Sequence, residues 1–503
     1  MADDHAATGE PSAGAVWAQV FVTSLSLFNF GYNTASISGA LLYIDLANVD
    51  CRSEAVCLTT AFAKGYVVSS CLLGALLGAF LAGSLADRLG RRTTLLANNV
   101  FYFVGPVGMF FAPSAEFLAY ARLVTGIGVG VASALVHVYI SEIVPASRRG
   151  EHGALLVMMG TGGILVANLM AYWLGEHWRW VLGASAVTAF LQAALGPCIM
   201  PESADWLEAH RQVQLSPRRT HVPAGGAARS LQPPSREPSD GAWRNLWRAV
   251  RSGQAKKPLI IGVGLQVLQQ ISGINVAIYY APKIFTLAHF SNSLSVFLSA
   301  AVSGAQIAAT LLLARTIDRV GRRPMSFIGL GLMILSLSLL GASFLLSGKG
   351  AGWLALCAVF LYRVSFSISL GPLPYIITAE IFPQSFRASG VSLCWAANWG
   401  ANFLVSLTFL PLLGVLTPSG TFFMYAAVCC FAVYFVHERV PETRGRTLQE
   451  LEAWASFCGR DDAEEAEEAS LLQPSARQSC RLADQEVRFP HAVMRGAAQS
   501  WRP

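Results

Sequence analysis

Charge is what this sequence has least of. Asp, Glu, Lys and Arg make up 13% of its 503 residues, while 53% are hydrophobic. A soluble domain is about a quarter charged, so half the expected charge is missing and a soluble globular chain is excluded. The short alternating segments of a membrane β-barrel do not recur. Apolar stretches instead run long enough to cross a hydrocarbon core of about 30 Å as helices. The start, MADDHAATGEPSAG, lacks the basic region of a secretory signal, so the first helix is expected to stay. No phosphate-binding loop, metal-ligand cluster or nucleophile–base set is evident, which argues against an enzyme, a cofactor or a metal. The glycines of GIGVG lie inside a span, where they ease helix packing. Most of the ten cysteines fall in apolar runs and read as small buried hydrophobes. Cys51 and Cys57 share an outer loop, where a local disulfide and two free thiols both stand as readings.

What is there is a series of spans, near 16–42, 61–86, 93–112, 117–140, 153–174, 179–200, 258–286, 294–316, 325–347, 352–377, 390–413 and 420–437. The fold class is therefore an all-α membrane protein of twelve transmembrane helices. With both ends cytoplasmic, the inner loops hold DRLGRR, SRRGEH, the basic stretch 201–257, DRVGRR and SFRAS; the outer loops hold little beyond Arg52 and Lys349. The net charge of +6 is thus a topology signal. It does not indicate nucleic-acid binding.

Three motifs repeat in one order. Asp87–Arg92 (DRLGRR) returns as Asp318–Arg323, Glu142–Arg149 as Glu380–Arg387, and Pro201-Glu-Ser as Pro441-Glu-Thr, each about 235 residues later. The two six-span halves, 16–200 and 258–440, are therefore parallel repeats about an axis along the membrane normal. Residues 1–15 form a cytoplasmic N-terminus. The linker 201–257 reads as flexible, except that AWRNLWRAVRS (242–252) suits an amphipathic helix with Trp243, Leu246, Trp247 and Val250 on one face. The tail 441–503 is charged and expected to be largely disordered; a dileucine sorting signal at Leu471-Leu472 competes with a plain solvated acidic run.

RxGRR in both halves, PES and PETRGRT closing them, GxGxGxASALVxVYISE in the fourth span and QVLQQISGIN in the seventh resemble the sugar porter family of the major facilitator superfamily. ISGALLYI adds a likeness to myo-inositol and polyol carriers. The resemblance covers about residues 20–455. It implies the major facilitator fold, alternating access, and a hexose such as glucose, or a polyol, bound between two pseudo-symmetric halves. Asp87, Arg91, Arg92, Glu142 and Arg149, with their mates Asp318, Arg322, Arg323, Glu380 and Arg387, fit a cytoplasmic latch between the halves; topology anchoring is the simpler alternative.

A sugar needs side chains that both donate and accept, and amides do both. The seventh span supplies Gln266, Gln269, Gln270 and Asn275, which turn toward one region at about 100° per residue. Four such groups in an intramembrane helix are costly unless satisfied; helix–helix hydrogen bonding is the competing reading. The resemblance makes Gln269, Gln270 and Asn275 sugar-contacting amides and Tyr279 and Tyr280 an outer gate. Asn398, Trp399 and Asn402 follow in the eleventh span, the asparagines on one face. The tenth offers Phe366 and the break Gly371-Pro372-Leu373-Pro374-Tyr375, which suits either a gating bend or a fixed kink.

The sequence also departs from the family. Tyr375 stands where a tryptophan is usual, Val157 where the fifth span offers a glutamine, Gln306 where the eighth offers an asparagine, and Ser367 where many facilitators carry an acid. Asp205 replaces an arginine, and Leu135-Val136-His137 lacks a usual proline. In the first span, FNFGYNTASISGA (28–40) is unusually polar and is expected to line the cavity. Its Asn33 occupies the place of the acid that coupled relatives protonate, and an amide does not titrate. Facilitated diffusion is therefore expected. The counter-candidate is His137, about 7.5 Å deeper than Glu142, which either titrates or bridges helices as a neutral ring. A non-transporting sensor is a further alternative. No oligomer is required, and a plasma-membrane location is expected.

Overall fold

A backbone in lipid must satisfy its own polar groups, so the long apolar runs fold as helices. The computed structural model describes residues 13–47, 58, 60–144, 149–204, 206–208, 211, 239–346, 348–383, 386–444 and 451. Cys51, Cys57, Asp205, Leu471 and Leu472 lie outside these residues, as do the side chains of Arg149, Trp243 and Asp318.

The N-terminal half runs as Ala13–Ala47, Ala61–Leu89, Arg91–Phe110, Ala115–Ile143 and Arg149–Leu174, with a sixth span in two pieces, Trp178–Gly183 and Ser185–Ile199. The C-terminal half opens with a seventh span in three pieces, Lys256–Ile271, Val276–Tyr279 and Ala281–Leu287. Asn292–Val320 and Arg322–Ser343 follow, then a tenth span split into Lys349–Ser367 and Leu373–Ile381. The last helix, Arg387–Arg439, joins the eleventh and twelfth spans across Thr417, whose φ of 62° breaks the helical path. Nine helices among the described residues are long and apolar enough to cross a membrane. The broken last helix counts twice, and the more polar Ala13–Ala47 and Arg91–Phe110 complete twelve spans in two halves.

Both halves use one device where Arg91 and Arg322 begin a helix. Gly90 and Gly321 turn the chain at φ 94° and 104°, a region other residues rarely enter. Against these turns lie the glutamates of the PES and PET motifs. Glu202 Oε1 accepts from the backbone of Arg91 at 2.8 Å and Arg92 at 3.0 Å. Glu442 accepts from Arg322 at 3.1 Å and Arg323 at 3.0 Å. Each carboxylate satisfies N–H groups that a helix start leaves open and complements its dipole.

Packing within the N-terminal half depends on missing side chains. A Cβ on Gly31 would strike the backbone of Gly160, and one on Gly163 the backbone of Phe28, so the first and fifth spans touch main chain to main chain. The halves meet where the second span runs along the eleventh and the fifth along the eighth. At the end opposite Arg91 this seam is again bare backbone: a Cβ on Gly65 would lie 2.6 Å from the Leu407 carbonyl oxygen. The helix expected over 242–252 runs Ser239–Arg251, but a different face is inward. Leu246 and Ala249, three residues apart, are buried, whereas Trp247 and Val250 are exposed. Arg251 lies 6.0 Å over the Trp247 ring.

Candidate functional site

The apolar pattern predicts one continuous seventh span over 258–286, but the helix stops at Ile271 and resumes at Val276. Gly273, at φ 90°, prevents continuation. The four amides therefore sit at the end of one segment and in the turn after it.

They converge on Asn398 of the eleventh span. Asn398 Nδ2 donates to Gln266 Oε1 at 2.7 Å and Gln269 Oε1 at 2.6 Å, and its Oδ1 accepts from Gln270 at 3.0 Å. Asn275 donates to Gln270 Oε1. The tenth span joins through its break: Gln269 Nε2 donates to the carbonyls of Leu370 at 2.6 Å and Gly371 at 2.9 Å. Ser367 ends one helix, Pro372 and Pro374 flank the start of the next, and Gly371 donates to the Phe366 carbonyl at 2.8 Å. Tyr375 donates to Gln269 Oε1 at 3.0 Å while stacking on Trp395, ring centroids 4.6 Å apart. Buried amides are thereby satisfied by one another, in bonds that hydroxyls of a bound solute are able to replace. Trp399 is buried edge-on against Phe30 of the N-terminal half, with its ring nitrogen lacking a partner among the described residues.

One helical turn along, Asn402 belongs to another layer, donating to the Tyr279 hydroxyl at 3.3 Å. Tyr280 donates to the Ser406 carbonyl at 3.0 Å and packs on Phe409. Both tyrosines are buried, and beyond them opens a cavity of about 390 Å³ whose lining includes Ser38, Lys64, Tyr279, Tyr280, Lys283 and Pro418.

Other expected members lie elsewhere. Gln306 is held by Arg363 of the tenth span rather than by the amide cluster. Val157 is 43% exposed and contributes no polar group. Of the first span's polar face, Ser38 lines the cavity beyond the tyrosines, while Ser26, Asn29 and Asn33 pack against the sixth span. Ser26 donates to Gln192 at 2.9 Å, Thr188 to Asn29, and Ser185 to Asn33 Oδ1 at 3.0 Å. Asn33 also donates to the Asn29 carbonyl, so its amide is spent inside the N-terminal half. The close approach of the first helix to the fifth at Gly31 sets this rotation. His137 is exposed, bonded to the backbone of Ser133 and not bridging helices.

Among the described residues, the ion pairs of the ionic set lie inside each half. Arg91 pairs with Asp87 at 3.0 Å and Glu142 at 3.3 Å, and Arg322 with Glu380 at 3.3 Å; all three pairs lie within one half. Arg92 donates to the Pro197 carbonyl at 2.6 Å, Arg323 to that of His437 at 2.8 Å, and Arg387 to that of Phe382 at 2.8 Å. Neighbours one helical turn away or at the adjoining helix end are simply nearer than the other half.

Sequence reasoning passed over two buried arginines. Arg122, in the fourth span, donates to the carbonyls of Val67 at 2.8 Å and Val68 at 3.4 Å; Arg363, in the tenth, donates to Gln306 and to the Ala277 carbonyl. Each is a lone cation in an apolar run, a signal available without coordinates. Trp395, which carries the ring contact for Tyr375, gave no such signal.

Two six-span halves, with a broken seventh helix whose amides cluster in the C-terminal half, define a membrane protein of the major facilitator fold. The chain belongs to the family described as "Sugar (and other) transporter", whose profile matches residues 19–454. It is 33% identical over 459 residues to the D-xylose transporter of Levilactobacillus brevis, covering 88% of this chain and 97% of the relative. It is 31% identical to the galactose-proton symporter of Escherichia coli K12, covering 86% and 92%. The inward open structure of the xylose transporter XylE from E. coli superposes with a TM-score of 0.70 at 27% identity, covering 87% and 99%. The chain is therefore a multi-pass membrane protein that transports sugar.

Proposed function

We propose that the protein carries a monosaccharide, a hexose such as glucose or a polyol of similar size, down its gradient by alternating access. The observation that carries this reading is the cluster of Gln266, Gln269, Gln270, Asn275, Asn398 and Tyr375, buried between tenth, seventh and eleventh spans and bonded only to neutral groups. Facilitated diffusion rests on Asn33: its amide does not titrate and is bonded to Ser185. The arginine-rich helix ends support a plasma-membrane protein with both termini cytoplasmic. Tyr279 and Tyr280 act as the outer gate, the Gly371–Pro374 break as the flexing element, and the ionic pairs as braces of each half's inner rim. The reading needs no cofactor, nucleic acid, enzymatic step or oligomer.

Flux of glucose, fructose, galactose, xylose and myo-inositol into proteoliposomes, with and without a pH gradient, tests it. Downhill uptake indifferent to the gradient is expected. Binding without flux would make the protein a sensor, and passage of none of these would sink the assignment to a neutral hexose or polyol. Names of relatives such as the galactose-proton symporter favour proton coupling as the second reading. Uptake that moves protons and is abolished by His137→Gln would establish it.

A further inference from the structure

One group near the amide cluster has no role in binding a neutral sugar. Arg363 lies in the tenth span one turn before Phe366 and Ser367 and is 2% exposed. It donates through Nε to Gln306 Oε1 at 2.9 Å, through Nη2 to the same oxygen, and through Nη1 to the Ala277 carbonyl at 3.0 Å. Ala277 belongs to the short seventh-span segment between Asn275 and the gate tyrosines. The guanidinium thus lies against the backbone of the short segment that joins Asn275 to Tyr279. Both acceptors are neutral, and no described carboxylate forms an ion pair with it. A guanidinium has five N–H groups and stays protonated. The three bonds leave donors over, and the charge is uncompensated. A buried cation without a counter-charge is expensive in a membrane protein and marks a functional site.

Resting on the sugar-carrier reading above, we infer that the substrate is a sugar acid, a monosaccharide-sized ring bearing one carboxylate that pairs with Arg363 while its hydroxyls engage the amides. A single arginine matches a monoanion, and its fork suits the two oxygens of a carboxylate. Gln306, whose oxygen the guanidinium holds, keeps its NH2 group as a donor and orients the arginine.

The full-length protein in proteoliposomes tests this with D-glucuronate and D-glucose as probes, ring for ring the same except at the carboxylate. Glucuronate flux is expected to exceed glucose flux at least tenfold and to speed up when the lumen is made positive, since each turnover carries a negative charge inward. Arg363→Met lowers the glucuronate-to-glucose ratio at least tenfold, and Arg363→Lys, which keeps the charge and loses the fork, lowers it less. Should the Met variant lose all transport, the response of wild-type glucuronate flux to membrane potential decides: acceleration upholds the assignment, indifference overturns it. Glucose crossing while glucuronate neither crosses nor competes overturns the sugar acid and leaves the carrier standing. Inhibition by glucose 6-phosphate as strong as by glucuronate overturns the choice of a carboxylate. If wild type moves neither probe nor any neutral sugar, the carrier reading fails as well.

Discussion

The two halves are built alike at their arginine-bearing ends and unlike in their interiors. Glu202 and Glu442 do the same work at equivalent helix starts, and Arg91 and Arg322 each pair inside their own half. Between the helices the resemblance ends. In the N-terminal half Ser26, Asn29, Asn33, Ser185, Thr188 and Gln192 close on one another in a helix–helix contact. In the C-terminal half the amides sit at breaks in the seventh and tenth spans, bonded through one hub. Polar residues in membrane helices thus meet in two ways here: across the contact of the first and sixth spans in the N-terminal half, and around the breaks of the seventh and tenth spans in the C-terminal half.

The sharpest way to break this contrast is Asn398→Leu. It leaves Gln266, Gln269 and Gln270 buried without their hub, at about 1–3 kcal/mol per unsatisfied group. Transport is expected to fall about a hundredfold in proteoliposomes; a change under threefold would deny the cluster its role. Gly31→Val comes next, forcing a side chain into the Gly160 backbone. It is expected to cost about 1–3 kcal/mol or more, read as a lower melting temperature in detergent. Glu202→Ala and Glu442→Ala should each destabilise by about 1 kcal/mol, adding in the double variant because the sites lie in different halves. Unequal costs would show that the repeated device is not equivalent. Smallest is Ser185→Ala, which removes one bond to Asn33: stability falls by about 1 kcal/mol while flux stays within about twofold. A tenfold loss of flux there would move the first span's polar face back to the transport path.

The spans, the repeat and the amide-rich seventh helix were legible because they depend on run length, spacing and residue type. The amides' partners were partly so: Asn398 stood on the right face, but its position as hub depends on where the seventh helix breaks. Gly273 in QVLQQISGIN hints at that break without specifying it. The direction of Asn33 was not legible, since periodicity groups residues on a face without saying which helix that face meets. Arg122 and Arg363 were legible as lone cations in apolar runs, but their acceptors, the carbonyls of Val67, Val68 and Ala277 and the amide of Gln306, depend on helix packing that periodicity does not specify.

Gly65 against the Leu407 carbonyl has a consequence for turnover. A seam of interlocked side chains would have to unpack and freeze rotamers on every cycle. Here glycine has no rotamer to freeze, and the carbonyl uncovered on parting is one that water readily solvates. At that point the seam resembles a smooth bearing more than a catch.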